Sequence, residues 1–271
     1  MKWQYYLSII TFFLLFACNS KQETNKIDAK TLENNSHFNL INHKIFKYKT
    51  GSVIGYEKSE GEPYFTTINA LILDGNYVYF GDNVQKNIKK IDLKTGEVKS
   101  NRLNIIGKID WIREIGIINK HIFVLTTFCL YEFDGDLNLI HQYKLGPFAT
   151  DAIFVNQSSD KSLEFRIYCE PGIHTIRIDD KFNVKHDSIA DVNNKISDEM
   201  EDRFNFYNKG KKFEQIESEN KYYVKNSFGT FAIPCKISIN DNDVRNFDFN
   251  DKRIVYFEIN YKEMTLHVLD Y

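Results

Sequence analysis

The chain contains few prolines, which mark linkers between domains, and few cysteines, which can form disulfides. Its 271 residues include only four prolines and four cysteines, and no proline- or serine-rich linker interrupts the sequence after residue 37. The remaining ~230 residues are therefore expected to form one domain by length. Aromatic residues, in contrast, make up 15% of the chain, which fits many short, well-packed strands.

Charge and motif content exclude several functions. The net charge is −2, so the chain offers no basic footprint for nucleic acid, and we expect no nucleic-acid partner. The sequence also lacks GxSxG, HExxH, P-loop and dinucleotide motifs, so no catalytic residue and no cofactor is predicted. The seven histidines are not spaced as metal ligands, and we predict no metal site. His174 beside Glu170 is the pair of most interest.

No apolar run is long enough to cross a bilayer. The run from Tyr5 to Phe16 has twelve residues, which suits a signal peptide (residues 1–18) better than a membrane helix. Leu15-Phe16-Ala17-Cys18 follows it and resembles the lipobox of bacterial lipoproteins. That resemblance implies that Cys18 carries the lipid that attaches the protein to a membrane.

Residues 19–37 are almost without large apolar side chains and are rich in Asn, Lys, Glu and Thr. Such a segment cannot bury enough surface to order itself, so we predict a disordered tether between lipid and domain. The residue after the predicted acylated Cys18 is Asn19. An Asp at this position would signal retention in the inner membrane. By resemblance to lipoproteins of diderm bacteria, Asn19 favours the outer membrane within the cell envelope.

A repeat unit organises residues 38–271. In the segment Ala70 to Val98, Asp74-Gly75-Asn76 separates two strands, and a third strand leads to a turn in which Gly96 can take a positive φ. Similar segments follow to the terminus. The polar residue that closes each third strand recurs at spacings of 42, 45, 47 and 44, namely Asp92, Asp134, Asp179, Asn226 and Asp270.

A period near 44 with four strands per unit predicts an all-β fold, a β-propeller of five to six four-stranded blades. In the fourth unit a second register, with Tyr222 to Asn226 as a second strand, is rejected because it leaves one strand without a segment. Asp134 to Asn138 begins like a calcium loop, but it lacks the glycine and glutamate of such a loop and is predicted to be a hairpin turn.

The two ends of the domain complement each other. Lys44 to Val53 matches the third-strand and turn segment of the repeat, whereas the chain ends at Tyr271 where a fourth strand is due. We therefore expect closure by pairing of the N- and C-terminal strands, with Ser52 to Tyr56 beside Leu266 to Asp270.

A family resemblance rests on these features together. The lipobox, the polar tether, the IDLKTGE-type turns and Gly146-Pro147-Phe148 at the start of a blade resemble the six-bladed β-propeller lipoproteins, NHL-like or TolB-like, of Bacteroidota. The resemblance covers about residues 40 to 271. By fold analogy, binding residues are expected on the loops from fourth to first and from second to third strands. Exposed side chains of those loops are the candidate binding residues: Tyr64, Trp111, Phe148, Glu170 and Tyr261.

Two function classes follow. The first is a non-enzymatic module, anchored to the membrane through Cys18, that binds a protein, peptide or glycan of the cell envelope. The second is a propeller enzyme, a lyase or a lactonase-like hydrolase with an extracellular substrate, which would need a metal or a cluster of His, Arg or Tyr at the central channel. Convergence of three or more His, Asp or Glu side chains on that channel would distinguish it from the first. Cys129 and Cys169 allow a disulfide in an oxidising compartment, but three buried thiols, with Cys235, are the favoured interpretation.

Overall fold

The structure is a computed structural model that describes residues 40–51, 53–55, 68–104, 110–145, 152–159, 162–169, 172–190, 207–208, 211–218, 221–226, 228–234, 247–259 and 262–271. These residues form β-strands joined by turns. None of the described segments is a helix long and apolar enough to cross a membrane.

The strands follow one another in a simple order along the chain. Their bounds are β1 (Asn42–Lys49), β2 (Ile68–Asp74), β3 (Tyr77–Asp82), β4 (Asn87–Asp92), β5 (Val98–Arg102), β6 (Ile112–Ile118), β7 (His121–Thr126), β8 (Cys129–Phe133), β9 (Leu139–Lys144), β10 (Ala152–Ser159), β11 (Ser162–Cys169), β12 (Gly172–Asp179), β13 (Val184–Ala190), β14 (Tyr207–Asn208), β15 (Lys211–Ser218), β16 (Lys221–Asn226), β17 (Gly229–Ile233), β18 (Phe247–Phe249), β19 (Arg253–Ile259) and β20 (Glu263–Asp270).

The described strands form five four-stranded antiparallel sheets, which we call blades 1 to 5. Blades 1 to 4 contain β2–β5, β6–β9, β10–β13 and β14–β17, each in chain order. Blade 5 contains β18, β19 and β20, with β1 as its fourth strand. Successive four-stranded meanders are the architecture of a β-propeller, so the predicted fold class is confirmed, with five blades in the described residues.

The period of the sequence comes from turns that close each third strand. Asp134 Oδ1 accepts hydrogen bonds from the backbone N–H groups of Asp136 and Asn138 at 2.9 and 2.8 Å. Asp179 Oδ1 accepts equivalent bonds from Lys181 and Asn183, both at 2.9 Å. A short polar side chain that bonds its own backbone two residues on is favoured at such turns. Asp134 to Asn138 is therefore a hairpin turn, as predicted.

The register chosen for the fourth repeat is also correct. In blade 4, β16 ends at Asn226 and lies third, between β15 and β17. Asn226 Oδ1 accepts a hydrogen bond from the backbone N–H of Phe228 at 2.8 Å, which is the same type of turn.

The N- and C-terminal strands of the domain pair with each other, as predicted, but the predicted N-terminal segment is wrong. All eight residues of β1 pair antiparallel with β20, from Asn42 opposite Asp270 to Lys49 opposite Glu263. The predicted segment from Ser52 to Tyr56 has only five residues and follows this strand. Matching Thr50-Gly51 with Thr95-Gly96 located a turn correctly, since Gly51 and Gly96 have φ of 82° and 76°. The strand before that turn, however, is a fourth strand and not a third.

Apolar clusters join the blades face to face. One cluster lies between blades 5 and 1 and includes Leu71, Phe80 and Leu266. Others lie between blades 1 and 2, blades 2 and 3, and blades 4 and 5. The described contacts therefore link the blades in the order 4, 5, 1, 2, 3, and burial of these faces is the main stabilising term. Cys129 is a buried free thiol within the cluster between blades 1 and 2.

Candidate binding face

We use the term loop face for the end of the propeller that carries the fourth-to-first connections and the second-to-third turns. Trp111, at the start of blade 2, lies on this face and within the described residues. The other predicted binding residues, Tyr64, Phe148, Glu170 and Tyr261, lie outside the described residues, as does Cys18. The structure therefore places one of the five candidates.

The backbone of Trp111 is fixed by the neighbouring turn of its own blade. Its carbonyl accepts a hydrogen bond from the Thr127 backbone N–H at 3.1 Å. Its own N–H donates to Thr127 Oγ1 at 3.2 Å. The Trp111 side chain is half-buried. Its ring thus presents part of its surface to solvent from a position that the fold defines.

A lysine from the adjacent blade covers the ring. Lys86 Nζ lies 4.6 Å from the centroid of the Trp111 ring. The same ammonium donates to the Asp110 carbonyl at 2.8 Å. A cation over tryptophan is attracted by the ring quadrupole, typically by about 0.5–1 kcal/mol at an exposed position. The contact joins the β3–β4 turn of blade 1 to the β5–β6 connection.

A second cationic side chain lies close to this pair. Arg113 Nε donates to Thr127 Oγ1 at 3.3 Å, the same hydroxyl that accepts from the Trp111 backbone. The Asp110 carboxyl is fully buried beneath the strand start. Lys86 and Arg113 are both half-buried and keep contact with solvent. The surface around Trp111 therefore combines an aromatic ring with two positive charges.

A polar residue of blade 1 holds the start of β6 in place. Asn83 Oδ1 accepts a hydrogen bond from the Ile112 N–H at 2.6 Å, and Asn83 Nδ2 donates to the Ile112 carbonyl at 3.1 Å. Blades 1 and 2 also approach closely here, because a Cβ on Gly81 would lie 2.4 Å from Ile112 Cγ2. The residue that follows Trp111 is thus tied to blade 1 by two hydrogen bonds and by direct packing.

A buried ion pair lies under the same turn. Lys89 Nζ is 2.9 Å from Asp82 Oδ2, and the two side chains are 2% and 0% exposed. Asp82 also accepts hydrogen bonds from the backbone N–H groups of Gly55, Val84 and Gln85. A buried charge is tolerated when it is paired and its remaining lone pairs are satisfied. This pair connects the segment that leaves β1 to blade 1.

Tyr131 supports the same region from the third strand of blade 2. Its hydroxyl donates to the Asn104 carbonyl at 2.7 Å. Burial, together with the nearby Cys129 and Asp110, raises the pKa of Tyr131 well above its ordinary value. The phenol therefore stays a neutral donor and fixes Asn104, which follows β5.

His174 lies beside another histidine of blade 3. His174 Nδ1 lies 3.2 Å from His186 Nε2 on the neighbouring strand of blade 3, whereas Glu170 lies outside the described residues. Burial, with a further contribution from His186, lowers the pKa of His174. His174 therefore has a partner that sequence spacing did not indicate.

A second histidine cluster lies within blade 2. The buried Glu132 carboxylate is 2.7 Å from His121 Nδ1 and 3.2 Å from His141 Nδ1, and it accepts a hydrogen bond from the Tyr143 hydroxyl at 3.2 Å. These side chains come from three neighbouring strands and hold them together. Across the described ranges, no group of three or more His, Cys, Asp or Glu residues is arranged to hold a metal ion.

No protein-family model matches the chain, and neither does any curated protein. Among solved structures, the chain is similar to virginiamycin B lyase from Staphylococcus aureus, with 10% identity and a TM-score of 0.45, over 84% of this chain and 100% of that chain. It is also similar to the Pan2 WD40 domain of Neurospora crassa, with 10% identity and a TM-score of 0.37, over 71% of this chain and 56% of that chain.

A third similar structure is a luciferin-regenerating enzyme, with 8% identity and a TM-score of 0.36, over 84% of this chain and 97% of that chain. These likenesses are too distant to carry an argument about activity. The β-propeller fold rests on the strand order and the packing of the blades described above.

Proposed function

We propose that this chain is a non-enzymatic binding module of the bacterial cell envelope, held at a membrane by lipid on Cys18. Its loop face binds a protein, peptide or glycan, with Trp111 as an anchor. This proposal rests on the arrangement at Trp111. The ring is half-buried, Lys86 Nζ lies 4.6 Å from its centroid, and Thr127 fixes the backbone. Tryptophan and arginine are among the residues enriched in binding hot spots.

The charges refine the ligand class. Lys86 lies over the ring, and Arg113 contacts the same Thr127 hydroxyl as the Trp111 backbone. These two positive charges favour a ligand that combines a flat or apolar surface with acidic groups. Electrostatic attraction of this kind adds mainly to specificity and to the association rate. The ring supplies most of the contact area.

The anchor is supported by the sequence alone. Leu15 to Cys18 resembles a lipobox, and residues 19–37 have the composition of a tether. We also propose that the lipoprotein is located in the outer membrane and is related to the six-bladed propeller lipoproteins of Bacteroidota. Cys18→Ala should abolish incorporation of labelled fatty acid; equal labelling of the wild type and the variant would exclude lipidation at this residue.

Binding at the loop face is tested with a matched pair of aromatic residues. Tyr77 lies at the opposite end of blade 1, where Lys90 Nζ is 4.0 Å from its ring centroid. Capture from native envelopes is compared for the wild type, Trp111→Ala and Tyr77→Ala. The proposal expects a partner that Tyr77→Ala retains and that Trp111→Ala loses at least tenfold.

Two outcomes would contradict binding at this face. In one, all three proteins capture the same partners to the same extent. In the other, Tyr77→Ala reduces capture as strongly as Trp111→Ala, which would show that aromatic truncation acts through stability. Circular dichroism of each variant, recorded beforehand, confirms that the proteins compared are folded.

A further inference from the structure

Two histidines meet where the first strand of the domain pairs with the last. His43, on β1, places its Nε2 3.1 Å from Nδ1 of His267, on β20. The ring centroids are 5.3 Å apart and the rings are inclined by 23°. These side chains come from residues 224 positions apart in the chain. The pair therefore exists only when β1 is in its place in blade 5.

His267 is held in one orientation by its neighbours. Its Nε2 lies 2.9 Å from Glu258 Oε2. Its ring stacks on Tyr256, with centroids 4.5 Å apart and planes inclined by 2°. A carboxylate only accepts hydrogen bonds, so the proton of the neutral imidazole lies on Nε2. Nδ1 therefore directs its lone pair toward His43.

The hydrogen bond from His267 to Glu258 is of the kind that supports histidine ligands in metal sites. Histidines that bind metals commonly donate their second ring N–H to a carboxylate, which sets the tautomer and raises the basicity of the ligating nitrogen. Glu258 supplies that carboxylate to His267. His43 is half-buried, whereas Ile41, just before β1, and Ile45, on β1, are 78% and 49% exposed, so solvent reaches this edge of the blade.

The spacing of the two nitrogens is also suitable. Two imidazole nitrogens, each about 2.0–2.1 Å from a tetrahedral zinc ion, lie about 3.3–3.4 Å apart. The observed separation of 3.1 Å differs from this by a few tenths of an ångström. A small rotation of the His43 side chain on the outermost strand would close that difference.

We propose that His43 Nε2 and His267 Nδ1 bind one divalent transition-metal ion of the class that imidazole prefers, such as Zn²⁺ or Ni²⁺, and that this ion clips β1 to β20. Water molecules complete the coordination. Two protein ligands are fewer than a structural zinc site uses, so the affinity is modest. The ion binds the closed blade and not the unfolded chain, and it thus stabilises closure. Glu258 acts as a positioning residue.

The test uses a background in which the histidine pair of blade 3 is removed. His174→Asn with His186→Asn deletes the pair on β12 and β13, which joins strands that are neighbours in sequence. In this background the full-length chain, in detergent, is titrated with ZnCl₂ and with NiCl₂ by calorimetry. We expect one ion per chain, and binding at least tenfold weaker after His43→Asn or His267→Asn.

Four further measurements distinguish a metal ion that joins the strands from a simple hydrogen bond between imidazoles. ZnCl₂ should raise the melting temperature by several degrees and slow amide exchange of residues 42–49, and both effects should vanish in His43→Asn. His43→Cys should restore zinc binding, because a thiolate is a zinc ligand. Glu258→Gln should weaken binding about tenfold without changing the stoichiometry.

The proposal fails if no saturable binding occurs, if His43→Asn binds as well as its parent, or if His43→Cys does not restore zinc binding. His43→Asn lies on an exposed edge strand and tests the proposal even if His267→Asn does not fold.

Discussion

Asp248, fully buried in the last blade, accepts a hydrogen bond from the backbone N–H of Leu73 in the first blade, with 2.8 Å between Oδ2 and the nitrogen. Its Oδ1 accepts a second bond from the Phe249 N–H at 2.8 Å. The carboxylate thus ties β18 to β2, the first strands of blades 5 and 1. These two blades are also joined by an apolar cluster and by the bond from the Tyr48 hydroxyl to the Gly96 carbonyl.

Asp248→Ala should destabilise the domain by about 1–3 kcal/mol, because it leaves a buried backbone N–H without its acceptor. The free energy of unfolding is measured by denaturant titration. Asp251→Ala, in the exposed turn that follows, is the matched control and should leave the midpoint unchanged. Equal midpoints for the wild type and Asp248→Ala would show that this bond does not contribute to joining the blades.

Lys89→Met should destabilise more strongly, by about 3–5 kcal/mol, because it leaves the buried Asp82 without its counter-ion. Lys47→Met removes the exposed pair with Glu263, whose side chains are 63% and 35% exposed, and should have little effect. Chemical denaturation of the two variants gives the comparison. A similar small loss for both would mean that Asp82 is satisfied by its backbone donors alone.

Glu164 predicts acid sensitivity in blade 3. Burial raises the pKa of its carboxyl, but hydrogen bonds from Arg177 and Arg166 outweigh burial and hold the pKa below its ordinary value. A carboxyl with a lowered pKa stabilises the folded state fully above its unfolded pKa of 4.5 and loses that contribution as pH falls through the folded pKa.

Denaturant midpoints recorded between neutral pH and pH ~3 test this sign. The wild type should lose more stability below the unfolded pKa than Glu164→Gln, which has no proton to gain there. Arg177→Gln should reduce the acid-dependent loss as well. Parallel pH profiles for the wild type and both variants would contradict the predicted contribution.

Local chemistry explains which parts of the fold were predictable from sequence. Asp134 and Asp179 recur because each accepts hydrogen bonds from the backbone of its own turn. The repeat can therefore be recognised from short local segments of the sequence. The closing strand is different, because β1 is defined by a partner more than 200 residues away. Its KYKTG sequence carries a genuine turn signal but no information on which strand pairs with β20.

The same distinction applies to the candidate site. Trp111 could be predicted because an aromatic residue in a fourth-to-first connection is visible in the sequence. The role of Lys86 could not be predicted, because Lys86 reaches Trp111 from another blade. Its backbone also has a φ of 56°, a left-handed conformation that a lysine in the sequence does not indicate. Likewise, the His43 and His267 pair depends on the register of β1 against β20. That register was the part of the closure predicted incorrectly.

If β1 completes blade 5, deletion of Asn42–Lys49 should destabilise the whole domain. The measurement is the denaturant midpoint of the deleted chain, compared with that of a chain lacking eight tether residues, 22–29, which should unfold as the wild type does. Loss of β1 exposes one edge of β20 and removes the packing of Phe46 and Tyr48 on blade 1. We expect one cooperative transition at a clearly lower midpoint; an unchanged midpoint would show that β1 does not complete blade 5.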